Sequence, residues 1–261
     1  MLEKNGYSLV CHIIEDGQTI DTDIIRDIAA DNIGALIWSK SMEMNDMEKP
    51  DFLKNAMRNL SIPVITMEKY GFDCPGVDIL FDYEKGGYMA TRHLIECGHR
   101  RIGCVAGKQS FHVTMQRLNG YKKALEESGI SYDPDLVYFG DYTMESGYEA
   151  FSYILGQKVT AIFSMNDEMA FGIYRAARLY GVSIPEDISI IGFDNVPFAD
   201  VMQVPLTTIG VPVIEMGKKL GEKVVDLIDN KEKLKEREEI LYTPRLLVRG
   251  STKSIPPVTV I

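Results

Sequence analysis

Short apolar runs alternate with segments of helical spacing along the whole chain. Between most of the runs lie segments such as Met89 to Cys97, which the stop residue Gly98 follows. The runs lie at residues 7–14, 34–38, 63–67, 101–106, 136–139, 160–165 and 188–193. Strands that alternate with helices of this length form right-handed β-α-β units and a mostly parallel sheet. Because seven strands exceed what one small lobe needs, the pattern predicts an α/β chain with two doubly wound lobes.

Composition and charge limit the partners that we expect. Of the 261 residues, 45% are hydrophobic and 25% are charged, which is ordinary for a globular protein. No apolar run approaches the roughly 20 residues that span a bilayer. The 38 acidic and 28 basic side chains give a net charge of −10, which opposes a polyphosphate backbone. We therefore expect no membrane association and no strong binding to operator DNA by this chain alone.

The cysteines and histidines do not form a metal or disulfide pattern. No C-x-x-C spacing occurs, and Cys11 and Cys104 lie inside apolar runs, so the four cysteines are interpreted as small core residues of a cytoplasmic protein. They are Cys11, Cys74, Cys97 and Cys104. His93 and His99 lie around the end of a predicted helix, where a structural role is favoured. We expect no metal and no cofactor.

Sequence signatures of enzymes are missing. There is no G-x-G-x-x-G after a strand, no G-x-S-x-G and no H-E-x-x-H. The segment GCVAGKQS at 103–110 resembles a phosphate loop only superficially, because its first glycine has the wrong spacing. We therefore do not expect an enzyme.

Two segments fit the β-α pattern less simply. MLEKNGYSLV, at 1–10, is typical of the last helical turn, stopped by Gly6, that leads into a strand. A doubly wound lobe usually begins with a strand, so we expect the first lobe to lack its first strand and most of a helix. The charge run at 229–239 is typical of a solvated helix end and loop.

Polar residues follow the carboxyl ends of several predicted strands, and this edge of an open α/β sheet is where ligands bind. Arg117 joins them if its helix begins near Val113. The other members are Trp38, Ser39, Lys40, Glu68, Lys69, Tyr142, Asn166, Asp167, Asp194 and Asn195. Acids, amides, an arginine and flat aromatic faces suit a polyhydroxylated ligand, although a nucleoside or purine could use the same groups.

Each of these residues also has a simpler structural explanation. Asn166 or Asp167 could cap the following helix, and Trp38 could pack in a core. Asp194, which follows the apolar segment 188–193, could form a turn. The residues themselves leave these alternatives open.

Five sequence strings together resemble the effector-binding domain of LacI/GalR-family transcription repressors, from about residue 6 to 252. They are DYEKGGYMATRHLIECGHRRIGCVAG, RLNGYKKAL, AIFSMNDEMAFGIYRAARLYGVSIPEDISIIGFDN, PLTTIGVPVIEMGKKL and LLVRGST. The resemblance implies two periplasmic-binding-protein-like lobes, with the chain crossing near Asp82, near 208–211 and near 241–244. The amino-proximal lobe would hold 1–82 and 209–241, and the distal lobe 83–208 and 242–261.

The resemblance also implies a ligand site in the cleft between the lobes. Arg117 and Asp194 would be its arginine and carboxylate, with Phe193 beside Asp194. Asn166 would be a second polar contact and Tyr142 a stacking aromatic ring. The other candidate ligand residues are Asp82, Lys85, Trp38 and Lys40.

Two departures from the family pattern bear on the ligand. Gly210-Val211-Pro212 stands where many relatives have a glutamine contact, and Lys85 stands where lactose-type relatives often have an acid. The string around Lys85 is most similar to arabinose-type repressors, so a pentose is the sugar that we expect.

The function implied is that of a sensor. A small sugar-like effector would shift a homodimer between two lobe arrangements and so control operator binding by a DNA-binding head that this sequence lacks. Phe52 and Leu53 are candidates for the dimer seam. The alternative is the sugar receptor of a transport system, which would share the fold and the cleft. An enzyme of the doubly wound class ranks third.

Overall fold

The computed structural model describes residues 2–11, 33–39, 55–60, 62–72, 74–230 and 237–256, and the statements below concern these residues. The chain divides into two compact units. The first comprises Met1–Phe81 and Pro212–Tyr242, and the second comprises Asp82–Val211 and Thr243–Ile261. The chain therefore passes between the units three times, after Phe81, Val211 and Tyr242.

The α-helices and strands are numbered here along the described residues. They are β1 Leu36–Trp38, β2 Val64–Thr66, β3 Gly76–Phe81, α1 Tyr83–Glu96, β4 Ile102–Ala106, α2 His112–Glu127, β5 Val137–Phe139, α3 Met144–Gly156, β6 Ala161–Ser164, α4 Asp167–Tyr180, β7 Ser189–Asp194, α5 Phe198–Val201, β8 Thr207–Gly210, α6 Val213–Asp229, β9 Arg237–Tyr242 and β10 Arg245–Leu247. Short 3-10 helices span Glu3–Asn5 and Pro134–Leu136.

The first unit contains a parallel sheet in the order β1-β2-β3-β9. A buried ion pair fastens two of its strands, because the Arg237 guanidinium donates from Nε to both carboxylate oxygens of Asp78, at 3.0 and 2.9 Å. Arg237 belongs to the charge run predicted to be a helix end and loop. That prediction is wrong for Arg237–Glu239, which are the first residues of β9. The Arg237 guanidinium can lie against the sheet because Asp78 of β3 neutralises its charge.

The prediction of a strand at 7–14 is also wrong for its described part. Residues 7–11 have no strand pairing, and Leu9 and Val10 are 62% and 67% exposed. Cys11 is exposed too, so it is not a core residue. An apolar run becomes a strand only when a neighbouring strand supplies ladder hydrogen bonds, and none of the described residues does so here. Residues 12–14 lie outside the described part.

The second unit is a six-stranded sheet in the order β10-β8-β7-β6-β4-β5, parallel except for the pair β10 and β8. Helix α1 packs on α2, and α3 packs on α4. The predicted α/β class with two parallel-dominated sheets is thus confirmed. In this strand order, the chain runs from β4 to one side and from β6 to the other. The carboxyl ends of β4 and β6 therefore form the topological switch point at which such sheets bind ligands.

Large side chains fill the core of the second unit. Phe163 and Phe193 are fully buried, as is Tyr121, whose hydroxyl donates to the Ile102 carbonyl at 2.8 Å. Within the described residues no helix is long and apolar enough to span a membrane. The same residues hold no group of three His, Cys, Asp or Glu side chains that could bind a metal ion.

Candidate functional site

Five of the predicted site residues lie at the carboxyl edge of the second sheet. Asp194 ends β7, Asn166 follows β6, and Arg117 reaches this edge from the second turn of α2. Arg117 Nη2 lies 3.3 Å from Asp194 Oδ1, and Arg117 Nη1 donates to the Met165 carbonyl. The other two are Phe193 and Tyr142, whose rings both lie beside the Arg117 guanidinium.

Aromatic rings surround the Arg117 guanidinium. Its Cζ atom lies 3.9 Å from the ring centroid of Phe193, 5.0 Å from that of Tyr83 and 5.8 Å from that of Tyr142. Because Arg117 is only 6% exposed, these cation–π contacts stabilise the charge in a poorly hydrated place. Its buried Nε has no hydrogen-bond partner in the described part of the chain.

Asp194 has an unusual backbone and remains accessible. Its φ is +104° and that of Asn195 is +59°, which is a left-handed conformation that costs free energy outside glycine. About a third of the Asp194 side chain is exposed. Burial of the rest raises the pKa of the carboxyl above its usual range, while the Arg117 charge and hydrogen bond act in the opposite direction. Asp194 therefore both forms a turn and presents a carboxylate at the edge.

Tyr142 provides a flat face beside this pair. Its ring packs directly over Gly107, where a Cβ atom would come within 2.0 Å of the ring. Its hydroxyl lies 2.7 Å from Thr114 Oγ1, and its ring stacks on Phe111 with centroids 6.3 Å apart. The φ of Tyr142 is +74°, so this ring too is held at the cost of backbone strain.

Asn166 and Asp167 form hydrogen bonds to the backbone of neighbouring segments of the site. Asn166 Oδ1 accepts from the Met169 N–H at 2.9 Å, so the capping interpretation of Asn166 is confirmed, and its Nδ2 donates to the Tyr142 carbonyl at 2.9 Å. Asp167 is fully buried, and desolvation raises its pKa to about 7 against the opposing hydrogen bond from Thr208. A direct contact of Asn166 with a ligand stays a prediction.

The remaining predicted residues are not part of this cluster. Asp82 caps α1 by accepting from the Lys85 N–H at 2.9 Å, and the Lys85 side chain is exposed on the first turn. Trp38 is 4% exposed and lies in a hydrophobic core cluster of the first unit, which confirms the interpretation that it packs in a core. Lys69 forms an ion pair with Glu239 at 2.7 Å. Lys40 lies outside the described residues. Ligand contacts of Asp82, Lys85, Trp38 and Lys40 stay predictions.

Sequence reasoning missed three members of the cluster, Tyr83, Phe111 and Thr114. Tyr83 directly follows the predicted crossing at Asp82, and Phe111 and Thr114 lie at the start of α2, one turn before Arg117. A search for aromatic and hydroxyl residues at helix starts on this edge would have found them.

A doubly wound unit with a charged pair and aromatic faces at its switch point defines a ligand-binding domain of the periplasmic-binding-protein class. A family model described as a periplasmic binding protein-like domain matches residues 91–252.

Sequence relatives of known function identify the family more specifically. The HTH-type transcriptional repressor PurR of Photobacterium profundum is 33% identical over 253 residues, which cover 96% of this chain and 73% of that protein. The HTH-type transcriptional regulator DegA of Bacillus subtilis is 36% identical over 254 residues, covering 97% of this chain and 74% of DegA.

A solved structure agrees with these relatives. The crystal structure of a LacI family transcriptional regulator from Enterococcus faecium with bound ribose has a TM-score of 0.78 and 27% identity, and the match covers 98% of this chain and 91% of that one. The chain belongs to the LacI family of transcriptional regulators and spans their effector-binding domain.

Proposed function

We propose that this domain binds a small polyhydroxylated effector at the carboxyl edge of its second unit and thereby controls DNA binding by a transcriptional regulator. The observation that carries the proposal is the pair Arg117 and Asp194, 3.3 Å apart, beside three aromatic rings. An arginine and a partly exposed carboxylate that lie side by side are suited to a neighbouring pair of hydroxyl groups.

The aromatic faces favour a ring-shaped effector. The apolar C–H face of a sugar packs on flat rings such as Tyr142 and Phe193, while its hydroxyls bond to charged neighbours. The related regulator from Enterococcus faecium has ribose bound, and a pentose is the sugar that we propose for this chain as well. The groups described here are suited to binding a sugar, so the role that we propose is that of a sensor and not of an enzyme.

The transport-receptor alternative is not favoured, because the relatives reported above are transcriptional repressors and regulators. We place the protein in the cytoplasm, where operator DNA is. With a net charge of −10, the contact to DNA is assigned to a separate DNA-binding segment and not to this domain.

The proposed assembly is a homodimer. Phe198 and Val201 on α5 are 61% and 70% exposed, and the Phe198 ring contacts Phe171 of α4 with centroids 5.6 Å apart. An apolar surface of this kind suits a self-complementary contact with a second copy. Phe52 and Leu53, the residues predicted for the seam from the sequence, lie outside the described residues.

Calorimetric titration with a panel of compounds tests the class of effector. The panel contains L-arabinose, D-ribose and hexoses, with a purine nucleoside and a phosphorylated pentose as the competing classes. Saturable binding of a neutral sugar supports the proposal. Binding of the nucleoside or the phosphorylated sugar alone would overturn the choice of ligand class.

A further inference from the structure

Hydrogen bonds to other parts of the chain hold the turn from Asp194 to Val196 in place. Asp167 Oδ2 accepts from the Val196 N–H at 2.9 Å, and Arg249 Nη2 donates to Asn195 Oδ1 at 2.7 Å. The Asp194 carbonyl accepts from the Val211 N–H at 3.3 Å. Because Asp194 and Asn195 both have positive φ, such anchors are needed to keep the turn in this conformation.

Asp167 lies at the centre of these anchors. It is the first residue of α4, and its Oδ1 accepts from Thr208 Oγ1 on β8 at 2.6 Å. Its carboxylate also approaches the backbone of β7 closely, since a Cβ atom on Gly192 would come within 2.2 Å of Oδ1. One buried carboxylate thus connects α4, β7, β8 and the turn after Asp194.

We propose that Asp167 is a positioning residue of the effector site, which fixes the Asp194–Val196 turn and couples effector binding to its own protonation. The coupling rests on the proposed function, whereas the positioning of the turn does not.

The groups facing Asp167 decide the direction of the coupling. On β7 the charged neighbour is Asp194, whose own partner is Arg117. On α4 the titratable neighbour is Tyr174, which is uncharged near neutral pH because burial raises the pKa of its hydroxyl. On β8 the neighbour is the Thr208 hydroxyl, which has no charge. Desolvation, helped by the charge of Asp194, raises the pKa of Asp167 to about 7, so its protonation changes near neutral pH.

An effector that covers Asp194 excludes water and strengthens the repulsion between the two carboxylates. The pKa of Asp167 is then higher in the complex than in the free protein, and binding takes up protons. Affinity for the effector should therefore fall as the pH rises from 6 to 8, by roughly two- to fivefold for a further rise of 0.5 to 1 unit in the pKa.

Two measurements on the whole chain test the proposal. Hydrogen exchange of the Val196 amide at a fixed pH needs no ligand, and exchange should be at least about tenfold faster in Asp167→Ala, which has no side-chain acceptor for the Val196 N–H. Titration with D-ribose and L-arabinose at pH 6, 7 and 8 gives the affinity profile, which should become flat above pH 6 in the same variant.

Thr208→Val is the second variant, because it keeps the shape and removes only the hydroxyl that lowers the pKa of Asp167. Effector affinity in Thr208→Val should still fall with rising pH, but the midpoint of the fall should lie at a higher pH. Unchanged exchange of Val196 in Asp167→Ala would overturn the positioning role, and a fall in affinity retained in that variant would overturn the coupling. If neither sugar binds at any pH, the proposed function and the coupling fail, and Val196 exchange alone decides the positioning role.

Discussion

The Arg117 guanidinium lies 3.9 Å from the ring centroid of Phe193, the residue immediately before its ion-pair partner Asp194. One strand end thus supplies both an aromatic face and a carboxylate to the same cation. Gly86 of α1 permits this arrangement, because a Cβ atom there would come within 2.6 Å of the Phe193 ring. The charge is therefore held by packing as well as by the ion pair.

Gly107→Ala should displace the Tyr142 ring from the site. The added methyl group would come within 2.0 Å of the ring, so Tyr142 must rotate or move away. We expect a loss of stability of about 1–3 kcal/mol and at least a tenfold loss of effector affinity. Thermal melts and calorimetric titration measure the two effects, with Gly156→Ala, where a Cβ meets no neighbour, as the control. Full affinity in Gly107→Ala would argue against a role for Tyr142.

Phe198→Glu should weaken the proposed dimer. A charge placed on the exposed face of α5 would have to be desolvated in a contact with a second copy. We expect a monomer at micromolar concentration by sedimentation velocity, while the wild type is dimeric. Tyr153→Glu, at an exposed aromatic residue on α3, is the control and should remain dimeric. A wild-type chain that is monomeric throughout would contradict the dimer.

Asp78→Ala should destabilise the first unit without changing the site on the second sheet. Removing this carboxylate leaves the Arg237 charge largely buried and without its ion-pair partner, which typically costs about 3–5 kcal/mol. Denaturant unfolding checks the loss of stability. Val196 amide exchange under native conditions should be unchanged, and faster exchange there would show that the two units do not unfold independently.

His99 should contribute a loss of stability on mild acidification, which Asp167 opposes because its raised pKa lets the folded chain take up a proton near neutral pH. Burial lowers the pKa of this histidine, which bonds to Thr160 and Ser189 at 2.9 and 3.1 Å. Below about pH 6.5 the unfolded chain binds a proton at this histidine while the folded chain does not, so the contribution of His99 to stability falls as the pH decreases from there. Thermal melts between pH 5 and 7.5 measure the slope, and His99→Gln should reduce it. An equal slope in His99→Gln would assign the effect to other groups.

The sequence predicted much of the second unit because its signals are local. Six of the seven apolar runs contain strands of the structure. The rule that ligands bind at the carboxyl edge brought Arg117, Asp194, Asn166 and Tyr142 to one place, and the family resemblance added Phe193. The strands β3, β8, β9 and β10 lie outside the apolar runs. Asp78 interrupts the apolar segment of β3 and Arg237 lies in a charge run, and the pairing of these two residues connects β3 to β9 across the sheet.

The roles of individual site residues were harder to predict. The sequence could not separate a capping Asn166 from a ligand contact, because one amide in this structure caps α4 and also holds Tyr142. Asp167 was considered as a cap or as a polar residue at the edge, and its anchoring contacts were missed because Val196 and Thr208 lie 29 and 41 positions away. Trp38 ends a strand like the others but packs into the core of the first unit.

The affinity of Arg117→Met and Asp194→Asn for D-ribose and L-arabinose tests the central claim most directly. Each substitution removes charge-assisted hydrogen bonds worth about 1.5–3 kcal/mol, so calorimetric titration should show affinity reduced by about 10- to 150-fold. The exposed residues Arg178 and Asp135 provide the controls Arg178→Met and Asp135→Asn, which should bind like the wild type. Wild-type affinity in both site variants, with a sugar that binds the wild type, would contradict the assignment of the effector site.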